Sequence, residues 1–333
     1  PEYWYDMRRY LEELTPEERI KSRKTATMRQ EDLPDSFFYA HRCAERAIRF
    51  IQEHHDQDFF LVVSFDEPHG PSLCPRRFWE PYVSYDFPKA PNVWDTLENK
   101  PFHQKMWAGP SRFMDRDTIK INLPFFFGSQ SYADYEFGRI IDTANLLTSP
   151  TYLYTADHGD MLHSHCLRAK GPFPYDECCK VPLIVAGAGV QPGIFNRPVS
   201  QIDFTPTILD YFNIPIPRLL EGQSILPVFQ NIDAPVSDTI YIEFNRYEVD
   251  GDADGLQLMR SAYDGRYKLT VNLLTTDELY DMINDPYEMV NLIDSPGTEQ
   301  IRNALHDRIL KWMDDTRDPF RGYYWVGRPW RTD

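Results

Sequence analysis

Two apolar runs in the stretch TYLYTADHGDMLHSHCLRAKGPFPYDECCKVPLIV, residues 151–185, enclose a crowd of Asp, His, Lys and Cys side chains. Asp157 and His158 stand side by side before Gly159 and can offer an oxygen and a nitrogen to one divalent ion. Oxygen-rich shells favour Ca2+ or Mg2+, and an imidazole admits Mn2+ or Zn2+. Lys170 precedes Gly171, where a loop can return it to the same pocket as a point charge for an anionic group. His69, held between prolines in EPHGP, suits an imidazole that keeps its position while donating a proton or a hydrogen bond. His163 and His165 flank Ser164 and extend the candidate set, although histidines near a metal often orient its ligands instead of binding it. Taken one at a time, these residues also fit an ordinary turn, with Asp capping backbone N–H groups and Lys as a solvated charge. Their context has to set the reading.

That context is a series of elements able to bring the side chains together. In open α/β sheets ligands gather beyond the carboxyl ends of strands. DFFLVVSFDEPHGP and PTYLYTADHG are both apolar runs ending in polar loops, so two strand ends are expected to serve one site. Buried parallel strands are predicted near 59–65, 151–156 and 182–186. SFFYAHRCAERAIRFIQEHH spaces Phe37, His41, Ala44, Ile48 and Ile51 for an amphipathic helix with Ser36 as N-cap. YADYEFGRIIDTANLL predicts a second helix through Tyr135, Ile140, Ala144 and Leu147, and DFTPTILDYFNIP a short third with Pro206 in its first turn. Residues 70–130, rich in Pro, Trp and Phe, predict a long substrate-side excursion with little regular structure.

The alternation predicts an α/β fold over residues 1–227, a mostly parallel sheet sandwiched by helices. After Pro227, TIYIEF, LQLMRSAY and YKLTVNLL alternate and GTEQIRNALHDRILKWMDDT is amphipathic. Residues 228–333 therefore predict a C-terminal α+β subdomain, a small antiparallel sheet with a terminal helix. Glu243, Asn245 and Arg246 close YIEFNRYE at its edge, as candidate contacts to the hydroxyls of a sugar-like alcohol. A surface ion pair between Glu243 and Arg246 is an equal reading.

Composition narrows the partners. With 35 basic and 51 acidic residues the net charge is −16, which repels phosphate backbones and argues against a nucleic-acid role. A small anionic substrate stays open, because a few converging cations outweigh screened surface charges. The 5 cysteines, Cys43, Cys74, Cys166 and the adjacent Cys178 and Cys179, lack framework spacing and read mostly as free thiols. No apolar run is long enough to predict a membrane span. The opening PEYWYDMRRYLEEL has no initiator Met and no apolar leader, so the sequence is expected to begin inside a longer protein. Compartment, cytoplasm or periplasm, and oligomeric state stay open.

Four ordered blocks carry a family resemblance. YTADHGDMLHSHCLRAKGPFPYDECCKVPLIV resembles the sulfatase stretch that reads Asp-His-Gly-Asp, Met-Leu, Ser-His, Lys-Gly and Val-Pro-Leu-Ile. FFLVVSFDEPHGP resembles that family's strand before Pro-His-x-Pro, QIDFTPTILDYFNI its Asp-x-x-Pro-Thr-Ile-Leu helix, and ELYDMINDPYEMVNL its Leu-Tyr-Asp, Asp-Pro-x-Glu and Asn-Leu segment. YIEFNRYEV and DPFRGYYWVGRPWR further resemble a bacterial subgroup. The resemblance implies an alkaline-phosphatase-like fold and hydrolysis of a small or carbohydrate sulfate ester. It implies that Asp157 and His158 belong to a divalent-cation site, usually calcium, with Mg2+ or Mn2+ as alternatives. It puts Lys170 on the sulfate and leaving-group oxygens, and His69 on a sulfate oxygen or the departing alkoxide. His165 joins Glu243, Asn245 and Arg246 as a substrate contact.

Sulfatases attack with a formylglycine made from Cys or Ser in a Cys/Ser-x-Pro/Ala-x-Arg segment. CAER at Cys43, CPRR at Cys74 and CCKVP at Cys178 do not match it. The resemblance therefore places the nucleophile, an Asp-Asp pair and a Lys-x-His segment upstream of this chain, which alone is expected to be inactive. Two alternatives remain: a phosphonate or phosphate ester hydrolase of the same superfamily, and a protein that binds sulfate esters without turnover.

Overall fold

The computed structural model of the chain describes residues 33–248 and 255–331. Its principal helices are α1 (Tyr39–His54), α2 (Phe102–Ala108), α3 (Pro124–Leu147), α4 (Phe204–Tyr211), α5 (Glu299–Asp315) and α6 (Tyr323–Val326). Its strands are β1 (Thr151–Thr155), β2 (Leu183–Gly187), β3 (Ile240–Glu248), β4 (Gly255–Tyr263), β5 (Tyr267–Asn272) and β6 (Glu278–Asp281). Packing divides the chain into two units, one built from the described residues up to Pro88 with Lys120–Pro150, the other from Lys89–Ile119 with the residues after Pro150. This division cuts the chain elsewhere than the compositional change after Pro227.

In the first unit α1 lies against α3. Ala40, Ala44, Ala47 and Ile51 recur at steps of four and three and form the buried stripe of α1. The expected helix is present, but Ser36 does not cap it. Phe38 holds the N-cap position, and the orphan N–H of Ala40 donates to Glu67 Oε1 at 2.9 Å, a carboxylate from a distant loop. The helix expected from Tyr132 begins earlier, at Pro124, because the aromatic run Phe125–Phe127 blurs its period while Pro124 suits the first turn. Gly128 is required there: a Cβ would come within 2.5 Å of the Trp79 Cα.

The run at 59–65 alternates in burial as a strand would, yet it makes no ladder among the described residues, and Phe60 and Val62 are exposed. β1 and β2 pair with each other and run antiparallel, with Leu153 facing Val185. The mostly parallel sheet expected here is thus corrected to an antiparallel pair among the described residues. An apolar run says that both faces want cover, whereas direction and partner depend on hydrogen bonds to segments distant in sequence.

The C-terminal expectation fares better. Strands β3 to β6 form a four-stranded antiparallel meander in sequence order. One face, with Leu258, Ala262, Leu269, Val271 and Leu279, packs on Leu305, Ile309 and Met313 of α5. The other face is buried too, but polar, with Lys268, Thr270, Asn272, Glu278 and Tyr280. Its groups are satisfied within the sheet and by segments far off in sequence. Tyr280 donates to Glu278 Oε1 at 2.7 Å, Lys100 Nζ donates to the Tyr280 hydroxyl at 2.8 Å, and Gln104 of α2 donates to both Glu278 oxygens at 3.1 Å.

His306 locks α5 to the tail. One ring nitrogen donates to the Trp325 carbonyl at 2.6 Å and the other accepts from Arg331 at 2.9 Å. Burial, the largest influence, pushes its pKa down to about 4. A folded pKa below the unfolded value of about 6.5 gives stability that is whole above pH 6.5 and drains away as pH falls through 4, about 3 kcal/mol in all. Urea unfolding of His306→Gln is expected to show a flatter loss of stability between pH 6.5 and 4 than the wild type. An unchanged slope assigns the loss to other groups.

Candidate active site

Asp157 and His158 follow the end of β1, held there by Gln201, whose Nε2 donates to the Ala156 carbonyl at 2.6 Å and the Asp157 carbonyl at 3.3 Å. Asp157 Oδ1 accepts the His158 N–H at 2.9 Å, leaving a carboxylate whose side chain is 85% exposed. His158 Nδ1 donates to the Gly159 carbonyl at 2.9 Å, which turns Nε2 outward, 3.3 Å from Asp157 Oδ2. That is a carboxylate oxygen and an imidazole nitrogen offered together. Gly159 allows the turn, because a Cβ would meet the Glu177 carbonyl at 2.0 Å. Its N–H donates to the Cys178 carbonyl at 2.8 Å, tying the turn to the residues before β2.

A compact loop separates this pair from Lys170. Met161 N donates to the Ala169 carbonyl at 2.9 Å, and Asp160 Oδ1 accepts from Leu162 N at 2.9 Å and Ala169 N at 3.2 Å. These bonds close residues 160–169 so that Gly159 and Lys170 lie at the two ends of one stem. The closed loop puts Lys170 next in sequence after it, as Asp157 and His158 stand just before it. Its ammonium is exposed. The loop holds Leu162, His163, His165, Cys166 and Ala169 at positive φ, a strained backbone that needs support from below.

His165 supplies that support. It is fully buried, stacked on Tyr175 with ring centroids 3.8 Å apart, and Nδ1 donates to Asp95 Oδ2 at 2.6 Å. Asn92 Nδ2 lies 3.3 Å from its Nε2 and also bonds Glu177. Burial holds the imidazole below its ordinary pKa, so it is neutral and takes both bonds. His165, named from the sequence as a substrate contact, is fully buried against Tyr175, a member of the cluster of Leu97, Met161, Leu167 and Phe173. Asp95, Asn92 and Tyr175 were not legible as its partners, since Asp95 stands 70 positions away in the sequence.

Glu243 and Asn245 turn toward Arg260, with Glu243 Oε2 3.7 Å from Arg260 Nε and Arg260 Nη1 donating to Asn245 Oδ1 at 2.5 Å. Arg260 lies on the face that α5 covers, flanked along β4 by Leu258 and Ala262. Glu243 thus has Arg260 within ion-pair distance, and the Glu243–Arg246 pair considered from the sequence lies outside the described side chains. Arg246 pairs with Gln257 along the ladder, and its side chain lies outside the described residues.

His69 belongs to the first unit. Its ring is exposed, with Nδ1 donating to the Gly70 carbonyl at 2.9 Å, and its N–H donates to the Asp66 carbonyl at 2.8 Å. Glu67 anchors this loop on α1. Burial, the largest influence, raises the Glu67 pKa to about 7. A raised carboxyl contributes stability that is whole below pH 4.5 and lost as pH rises through 7. Glu67→Gln is expected to be more stable than the wild type at pH 8, by up to about 3 kcal/mol, and equal near pH 4.5. Thermal unfolding at both pH values checks this, and a deficit at pH 8 contradicts it.

Among the described residues no group of three His, Cys, Asp or Glu side chains gathers to hold a metal. Asp157 and His158 fit two positions of a divalent-cation shell, in donor type and exposure, and leave it incomplete.

Comparison with known proteins adds the family. The model described as Sulfatase matches residues 3–214, and the model described as N-sulphoglucosamine sulphohydrolase, C-terminal, matches residues 169–315. The chain is 36% identical over 341 residues to the uncharacterized sulfatase YidJ of Escherichia coli K12, covering 100% of this chain and 67% of that protein. It is 28% identical over 247 residues to the choline-sulfatase of Rhizobium meliloti, covering 71% of this chain and 46% of that protein. The solved structure of BT4656 with its substrate D-glucosamine-2-N,6-O-disulfate superposes with a TM-score of 0.70 at 18% identity, over 85% of this chain and 71% of that one. The chain thus spans about half to two thirds of the length of these curated relatives.

Proposed function

Because this chain belongs to the sulfatase family, we propose that it forms the sulfate-holding part of a hydrolase for small or carbohydrate sulfate esters. The observation that carries the reading is the closed 160–169 loop, which has the exposed Asp157 and its neighbour His158 just before it and the exposed Lys170 just after it. A sulfate ester resists hydrolysis until the charge on its oxygens is neutralised and its leaving oxygen is protonated. Lys170, exposed on the stem, brings a flexible point charge to the sulfate oxygens and to the leaving oxygen as the S–O bond breaks. His69 donates a hydrogen bond or a proton to the ester, a role assigned from its Pro-His loop. A divalent cation, calcium first, would be held in part by Asp157 and His158 and would neutralise sulfate charge.

The nucleophile is assigned to a segment outside this sequence. CAER at Cys43, CPRR at Cys74 and CCKVP at Cys178 all lack the Cys/Ser-x-Pro/Ala-x-Arg pattern from which formylglycine is made. Hydrolysis of 4-nitrophenyl sulfate, phosphate and phosphonate esters by the full-length matured protein tests the proposal. Sulfate turnover well above the other two supports it, and preference for a phosphorus ester overturns it.

A further inference from the structure

Gln201 is an exposed residue whose side-chain amide is fixed on backbone far away in sequence. Its Nε2 donates to the Ala156 carbonyl at 2.6 Å and to the Asp157 carbonyl at 3.3 Å, 45 and 44 positions back along the chain. Both carbonyls stand where β1 ends and the Asp157–His158 pair begins. A long amide side chain at the surface has many rotamers to lose, so a contact of this kind needs a rigid base. That base is present. Gln201 opens the short turn Gln201–Asp203, which a capping box closes: the Ser200 side chain accepts the Asp203 N–H, and Asp203 Oδ2 accepts the Ser200 N–H at 3.0 Å. Asp203, 6% exposed, also accepts the Gln223 N–H on Oδ1 at 2.9 Å. Gly222 passes so close that a Cβ there would meet the Ile202 carbonyl at 2.1 Å. In α4, which follows at once, the Thr207 hydroxyl donates to the Asp203 carbonyl at 2.5 Å and accepts the Ile225 N–H at 3.0 Å. Gln201 thus stands on a turn braced by residues 222–225 and reaches across to the end of β1.

The pair at the other end of this contact is bonded mainly to itself. Asp157 Oδ1 accepts the His158 N–H, and His158 Nδ1 donates to the carbonyl of the next residue, Gly159. These local bonds set the two side chains relative to each other. Their position relative to the fold comes from further off: the Gln201 amide holds residues 156 and 157, and the bond from the Gly159 N–H to the Cys178 carbonyl at 2.8 Å holds the far side. Groups that orient a metal ligand without touching the metal are commonly worth about 10- to 100-fold in metal affinity. An exposed carboxylate that is already in place binds an ion more tightly, because it is not ordered at the moment of binding.

We propose that Gln201 is a positioning residue for the divalent cation, fixing the backbone of Asp157 so that the Asp157 carboxylate and the His158 imidazole meet the ion together. The proposal rests on the cation reading of that pair and adds to it a residue that no spacing in the sequence singles out. Gln201 acts through the carbonyls of Ala156 and Asp157, and its role needs no contact with the ion or the ester.

The test is calorimetric titration of calcium chloride into the metal-stripped, full-length matured protein, with the Tm of the stripped protein measured alongside. Gln201→Met keeps the length of the side chain and removes the donor. It is expected to weaken calcium about tenfold and to raise by the same factor the calcium concentration that half-restores 4-nitrophenyl sulfate hydrolysis. The Tm of the stripped variant and its kcat at saturating calcium are expected to match the wild type, since Gln201 is exposed. Those results together support the positioning role. A calcium affinity within about twofold of the wild type overturns the proposal and leaves the cation reading standing. A loss of affinity that comes with a lower Tm of the stripped variant overturns it too, because Gln201 is then a general brace of the fold. A wild type that binds neither calcium nor, in a repeat titration, manganese overturns the cation reading and the proposal with it.

Discussion

Lys268→Met is expected to destabilise the protein by about 3–5 kcal/mol, the usual consequence of leaving one partner of a buried ion pair uncompensated. The Lys268 side chain is 3% exposed, and its ammonium donates to the Pro174 carbonyl at 2.7 Å. It also lies 2.7 Å from Glu288 Oε1 and 3.0 Å from Asp176 Oδ1. Burial works against the charge, but Glu288 and Asp176 together hold the ammonium above its ordinary range. Removing it leaves Glu288, 1% exposed and raised to about 7 by burial even beside the lysine, either protonated or an unpaired buried charge. The double variant Lys268→Met, Glu288→Leu is expected to recover much of the loss, because two apolar side chains replace two buried charges. Urea unfolding of both variants decides the matter: a single variant within about 1 kcal/mol of the wild type means the charges are hydrated after all.

The second large effect falls on activity. In the full-length matured protein, Lys170→Ala is expected to lower kcat on 4-nitrophenyl sulfate about 10²- to 10³-fold, the loss typical when one preorganised donor to developing charge is removed. Stability should barely change, since the side chain is exposed and sits on a stem closed by backbone bonds. Lys170→Arg keeps the charge but changes its shape and is expected to recover only part of the rate. A kcat within about twofold of the wild type would make Lys170 a solvated surface charge, the ordinary fate of a lysine on a loop.

The buried polar face of the C-terminal sheet explains why the loop near Lys170 can be strained. Tyr175 stacks on His165 and donates to Gln104 Oε1 at 2.7 Å, and Gln104 bonds Glu278 on β6. His165, Asp95, Lys100, Gln104, Glu278 and Lys268 are all buried, and each has a partner on another segment. A chain of satisfied polar groups in a low-dielectric interior resists displacement, because breaking any link leaves its neighbour unpaired. The positive-φ residues 162–169 are therefore held from beneath by a network that starts in the sheet.

Local elements and the chemistry of the loop were legible in the order of residues. Periodicity located α1, the antiparallel meander and α5, and the Gly159 turn placed Asp157 and His158 at a strand end, because each depends on residues within a few positions of one another. Tertiary structure alone decided the rest. Strand direction in the β1–β2 pair, the capping of α1 by Glu67 and the burial of His165 on Asp95 all join segments far apart in the chain, where no local pattern carries a signal.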